Sequence, residues 1–145
     1  MTEADLERVI RNETACHPDP WDRPMLRDSL AMGHVCRVLA KGPEPVGHGI
    51  LRLAPPEAEV LNLCVHPEEW RQGHGRALLR DLLEQARAGG AAEVFLEVRQ
   101  SNHRAQRLYS GEGFQQVGRR PAYYAGPRGR EDGLIMGLHL RSAGL

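Results

Sequence analysis

Residues 62–86 read NLCVHPEEWRQGHGRALLRDLLEQA, and the fold is decided there. An extended apolar segment ends at Val65, and His66-Pro67 stops it. The glycine-rich stretch Arg71-Gln72-Gly73-His74-Gly75 then opens a helix in which Leu78, Leu79, Leu82 and Leu83 recur on one face. Gly89-Gly90 ends that helix. A helix N-terminus offers unpaired N–H groups and the positive end of the peptide dipoles, so strand, loop and helix together suit a pyrophosphate. Gly73 and Gly75 let the backbone approach such an anion, and Arg71 and Arg76 add cations beside it. A short Gly-x-Gly loop reads equally well as a tight strand-to-helix turn. The segment lacks both the GK[ST] of a nucleoside-triphosphate loop and the third glycine of a dinucleotide fingerprint.

Working outward, Thr2 with Asp5 imitates a capping box, and Leu6, Val9 and Ile10 form a stripe, so a helix is expected over 3–14. His17-Pro18-Asp19-Pro20-Trp21 is rigid loop, and Pro24 starts a short helix to Leu30. Strands are expected over 35–40, 46–53 and 59–65, with turns at 41–45 and around Pro55-Pro56. Beyond the central helix come a strand over 94–98, a short helix capped by Ser101 and running to about Ser110, and strands over 115–119 and 134–140. Strands, crossover helix, strand, helix and strands make a mixed α/β layer.

The chain has 145 residues, 41% hydrophobic and 26% charged, which fits one soluble domain, 1–145. Lys+Arg and Asp+Glu balance at 19 each, so a nucleic-acid or membrane-surface binder is not expected. Lys41 is the single lysine. No apolar run approaches the roughly 20 residues of a membrane helix, and the acidic N-terminus does not suit a signal peptide. Cys16, Cys36 and Cys64 are scattered and lack CxxC spacing, and the seven histidines lack metal-site spacing. A reduced cytoplasmic setting with no metal is therefore expected.

The segment 62–86 resembles the acetyl-CoA-binding segment of the GNAT N-acetyltransferases, whose motif Q/R-x-x-G-x-G/A opens this helix. LEVRQSNHRAQRLYSGEGFQQVGRR (96–120) is similar to the second half of that fold. HPDPW near the front, YY at 123–124 and GREDGLIM at 129–136 resemble the RimI-type branch, which acetylates the N-terminal alanine of a small-subunit ribosomal protein. The resemblance spans nearly the whole chain. It implies a GNAT fold, with a mixed, mostly antiparallel sheet whose central strands splay so that acetyl-CoA wedges between them. It implies acetyl-CoA as co-substrate, a protein or peptide N-terminus as acceptor, and a monomer or weak dimer. A small amine acceptor (polyamine, amino sugar or antibiotic) and a non-catalytic acyl-CoA-binding module are the alternatives.

The resemblance also implies roles. The backbones of Leu63, Cys64 and Val65 would pair with the pantetheine arm. Arg71, Gln72, Gly73, His74, Gly75 and Arg76 would cradle the pyrophosphate, and Asn102 would hydrogen-bond the cofactor. Glu97 matches the general base and Tyr109 the general acid. The chemistry suits these types: an α-amino group has a pKa of about 7.7–8.0 against about 10.4 for lysine, so one carboxylate can deprotonate it near neutrality. A tyrosine of pKa about 10 can protonate a departing thiolate of about 8.5. A backbone N–H near Val65 is the expected oxyanion donor.

Each residue also has a plainer reading. Glu97 could pair structurally with Arg99 or Arg52, and Tyr109 could be a core aromatic. Trp21 reads as a plug over the helix pair or as a substrate contact. Tyr123 and Tyr124, on a Gly/Pro-rich loop, read as a grip for peptide. The charged stretch 128–132 reads as a solvated loop or a polar rim. Three departures from the family pattern stand out. Trp70 replaces the motif's first polar residue, and His74 occupies a small aliphatic position. The first family strand is missing or truncated, leaving a sheet edge open to pairing.

Overall fold

The computed structural model describes residues 1–126 and 129–140, so Arg128 of the charged stretch lies outside the described residues. A 3₁₀ turn leads into α1 (Leu6–Cys16), followed by α2 (Arg23–Ala31), β1 (Val35–Lys41), β2 (Glu44–Ala54) and β3 (Glu57–Val65). Then come α3 (His74–Ala88), β4 (Glu93–Arg99), α4 (His103–Gly111), β5 (Gln115–Gly126) and β6 (Gly129–His139). The strands form one sheet in the order β1-β2-β3-β4-β6-β5. Among the described residues only the β3–β4 pair is parallel, because α3 carries the chain back across the sheet between them.

Side-chain alternation along the strands divides the interior in two. On one face Leu79, Leu82 and Leu83 of α3 pack with Val94, Leu96 and Val98 of β4 and Tyr109 of α4. On the other, Leu6 and Val9 of α1 and Leu26 of α2 enclose Ile50 of β2. Local capping matches the sequence signals with one exception. The Asp22 carboxylate accepts the Met25 N–H at 3.0 Å, so α2 starts beside Pro24 as expected. Asn102, not Ser101, caps α4, accepting the Ala105 N–H at 3.1 Å; the Ser101 hydroxyl instead donates to Glu131 at 2.8 Å.

β5 extends beyond the expected 115–119. Its ladder with β6 breaks between Arg120 and Tyr124 and then resumes, pairing Tyr124 with Glu131. Tyr123 and Tyr124 therefore lie in a strand and not in a loop. Pro121 is tolerated because β5 is the edge of the sheet.

The feature that makes a site is the parting of β3 and β4. They pair only from Glu57↔Glu93 to Val60↔Leu96, although both strands continue. Against β2, Ile50 faces Asn62 while Leu51 faces Val60, so Leu61 is an extra residue in β3. Such a bulge bends its strand and raises its twist, and it falls one position beyond the last β3–β4 pair. The next residues of β3 keep β2 on one side and have no strand on the other. Among the described residues no strand precedes α1, β1 is the opposite sheet edge, and the Met1 amine donates to the Cys36 carbonyl there at 3.1 Å.

Candidate active site

The parted strands open a cavity of about 880 Å³ that runs through the sheet. Glu97 and Tyr109 both line it. Val94, Leu96 and Val98 belong to the core that contains Tyr109, so Glu97, between them, projects to the opposite face. The two residues meet one cavity from its two sides.

On the α3–α4 side, the loop before α3 has the shape of an anion cradle. Arg71 (φ 65°) and Gly73 (φ 79°) both adopt left-handed conformations, turning successive N–H groups toward one region. The first α3 hydrogen bond is Ala77 N–H to the Gly73 carbonyl, so the preceding N–H groups are free of helical partners. Arg71, Gly73, His74, Gly75, Arg76 and Asn102 line the cavity, as do Leu63 and Val65. Arg76 is shared, standing 3.1 Å from Glu112, which also holds Arg80. The Trp70 indole N–H donates to the Val65 carbonyl at 2.7 Å, and the Arg104 guanidinium lies over its ring. His74 stands 3.6 Å from Glu69. Tyr109 is buried against Phe114, with ring centroids 5.9 Å apart, and burial first, then the charge of Cys16, pushes its phenol well above the ordinary range.

On the α1–α2 side, Glu97 is paired with neither Arg99 nor Arg52. Arg52 pairs with Glu59, and Arg99 with Asp19 and Glu131. The partner of Glu97 is Arg120, whose Nε is 3.3 Å from Oε1 without hydrogen-bond alignment, so this buried oxygen lacks a donor. Burial raises the Glu97 carboxyl above its usual range, opposed by Arg120. Tyr124 and Trp21 line the same side, and the Arg99 guanidinium sits 4.6 Å from the Tyr124 ring centre. Tyr123 is exposed, packs edge-on against Tyr124 and does not line the cavity.

The family model described as the Acetyltransferase (GNAT) family matches residues 6–114. The chain belongs to the GNAT acetyltransferase family. It is 35% identical, over 97% of both chains, to the [ribosomal protein bS18]-alanine N-acetyltransferase of Haemophilus ducreyi. To the N-alpha-acetyltransferase RimI of Mycobacterium tuberculosis it is 42% identical, over 86% of this chain and 81% of that one. It superposes with a TM-score of 0.90 on the crystal structure of the ribosomal-protein-S18-alanine N-acetyltransferase from Escherichia coli, at 31% identity, covering 100% of this chain and 95% of that chain. The protein is thus an acetyl-CoA-dependent N-acetyltransferase of the RimI type.

This GNAT enzyme carries one group of cavity residues that the sequence reading missed. Glu13, fully buried, accepts His48 Nε2 at 2.9 Å, Asn62 Nδ2 at 2.9 Å and the Trp21 N–H at 3.0 Å. Burial favours its neutral form, but His48, His17, Trp21 and Asn62 together hold the carboxyl below its ordinary range. His17 Nε2 meets Asn62 Oδ1 at 3.1 Å, and Cys16 and His17 line the cavity. Burial opposes charge on His17, but Cys16 and Glu13 outweigh it and raise the imidazole to about 9. Cys64 lies beneath, fully enclosed. The available signal was periodicity: Leu6, Val9, Glu13 and Cys16 share one helical stripe, so Glu13 occupies a core-facing position.

Proposed function

We propose that the chain transfers the acetyl group of acetyl-CoA to the N-terminal α-amine of a protein, the N-terminal alanine of a small-subunit ribosomal protein of the bS18 kind. The observation that carries this reading is the through-sheet cavity with Glu97 on one face and Tyr109 on the other. The named activity of a relative at 35% identity over nearly the full length supports the acceptor.

In this reading acetyl-CoA lies on the α3–α4 side. Its pyrophosphate rests on the N–H groups of the loop 71–76, with Arg71 and Arg76 beside it and Asn102 at the edge. Its pantetheine arm pairs with the backbone of Leu63, Cys64 and Val65, taking the place that β4 vacates. The acceptor enters from the α1–α2 side past Trp21 and Tyr124, with Tyr123 on the outer rim. Glu97, whose Oε1 is free of a donor, takes the ammonium proton directly or through water. The amine attacks the thioester carbon directly, the Val65 N–H stabilises the oxygen, and Tyr109 returns a proton to the leaving sulfur. The enzyme supplies position and proton transfer, and no covalent enzyme intermediate is needed.

Electrostatics favour a protein terminus over a polyamine. The acceptor side holds Glu13, Asp19 and Glu97, but each has a cationic or hydrogen-bonding partner, so little unpaired negative charge faces the cavity. The 145 residues act as one domain, in the cytoplasm, as a monomer or weak dimer and without nucleic acid. No helix among the described residues is long and apolar enough to cross a membrane.

The test is thiol release from acetyl-CoA with peptides that begin with Ala or Ser, with the same peptides blocked at the terminus but bearing a free Lys, and with polyamines and aminoglycosides. Release only with free termini, best with Ala, is expected. Release only with small amines would refute the reading.

A further inference from the structure

Cys16 and Cys64 are far apart in the chain, and no motif joins them. The fold places Cys16 at the end of α1, His17 beside it and Cys64 on β3, with one donor atom from each all within 4.8 Å of one another. Two thiols and an imidazole form a soft donor set of the kind that selects zinc over magnesium or calcium. Zinc–sulfur and zinc–nitrogen bonds of about 2.3 and 2.0–2.1 Å put tetrahedral donors about 3.4–3.8 Å apart, so small side-chain rotations would close the cluster around an ion.

The residues behind His17 have the arrangement that metal-binding histidines use. Asn62 Nδ2 donates to the Glu13 carboxylate at 2.9 Å, which fixes the amide so that its oxygen faces His17. His17 Nε2, 3.1 Å from that oxygen, must then be the proton-bearing nitrogen. In the neutral ring Nδ1 therefore carries the lone pair. A carboxylate–amide–imidazole relay of this kind orients the ring and strengthens it as a ligand. Glu13 Oε1, 3.7 Å from His17 Nε2, adds negative charge favourable to a dication. Cys16 and His17 stand at the wall of the cavity, which gives the ion a way in and leaves a fourth position for water.

We propose that Cys16, His17 and Cys64 form a binding site for a thiophilic divalent cation of the zinc class, with Asn62 and Glu13 as positioning residues for His17. Binding displaces any protons on the two sulfurs and on Nδ1 into solvent, breaks the hydrogen bond that the Cys64 thiol donates to the Asn12 carbonyl at 3.3 Å, and involves no electron transfer.

The reduced, chelator-stripped protein is titrated with Co²⁺ as a spectroscopic stand-in for zinc. A thiolate-to-cobalt charge-transfer band in the near ultraviolet is expected, saturating at one equivalent and bleached by Zn²⁺. Cys16→Ala should abolish most of the band and weaken zinc at least about tenfold in competition with a chromophoric chelator, and Asn62→Ala should weaken it about tenfold. Cys36→Ala should change neither. Cys64→Ala opens a buried site, so its folding is checked by thermal unfolding, and Cys16→Ala at the cavity wall carries the test alone. A fully reduced protein without the band, or a band that survives Cys16→Ala or disappears in Cys36→Ala, would overturn the assignment. Formation of a Cys16–Cys64 disulfide in place of metal binding would overturn it equally.

Discussion

The Trp70 indole N–H donates to the Val65 carbonyl across 2.7 Å, tying the loop that opens α3 to the end of β3. A tryptophan thus stands where the family motif has a polar side chain, and its one polar atom joins the two segments proposed to hold acetyl-CoA. Trp70→Phe keeps a ring under Arg104 but removes the donor. The loss of one hydrogen bond, about 0.5–1.5 kcal/mol, should weaken CoA about two- to tenfold. Calorimetric titration with CoA reads this directly, and unchanged affinity would mean that the tie is incidental.

As the proposed base Glu97 would act in its ionised form, and burial raises its carboxyl above the ordinary value of about 4.3. The rate should therefore fall on the acid side with a midpoint above that value. Arg120 opposes the shift, so Arg120→Ala should move the acid limb to still higher pH. Glu97→Gln should lower kcat by about 10²–10⁴ and leave CoA binding intact. A pH–rate profile for the two variants checks both statements; an acid limb that Arg120→Ala leaves in place would remove Glu97 from the role of base.

Tyr109 is held protonated far into the alkaline range by burial, so it remains a donor wherever the enzyme is folded. Tyr109→Phe preserves the packing against Phe114 and should change stability by about 1 kcal/mol or less. Turnover should drop about 10²-fold or more, with CoA affinity held. Equal losses in turnover and CoA binding would point to packing alone.

Glu13 is a buried carboxylate held below its ordinary pKa by its partners. Its contribution to stability is present above the unfolded value of about 4.3 and is lost as pH falls through the lower folded value. Glu13→Ala leaves His48 and Asn62 without their acceptor and should cost about 3–5 kcal/mol. Chemical denaturation at pH 7 measures that loss. In the variant, the acid-side decline in stability should also become shallower.

Much of this was legible in the sequence because the signals were local. The leucine face of α3, its opening glycines and the proline at the start of α2 each specify backbone within one or two turns. Glu97 and Tyr109 became legible only through the family resemblance, since neither strand nor helix periodicity says which cavity a side chain meets. The pairing of Glu97 with Arg120 escaped because it depends on the β5–β6 register past a bulge, a tertiary property. Pro121 and the nearby glycines read as breakers and suggest a loop for Tyr123 and Tyr124, whereas an edge strand tolerates them. The Glu13–Asn62–His17 relay escaped because its members come from α1, β3 and the loop between α1 and α2.

The bulge at Leu61 has a consequence for how such an enzyme can change. With β3 turned away from β4, one cavity is open to both faces of the sheet. In the proposed binding mode a bulky acceptor, even one that is part of a large assembly, would stay outside and offer only its first residues, while the nucleotide end of the cofactor lies on the far side. On that proposal, substitutions around Trp21 and Tyr124 would retune acceptor choice without disturbing the loop 71–76. One inserted residue in β3 thus opens a single point of the sheet to both faces.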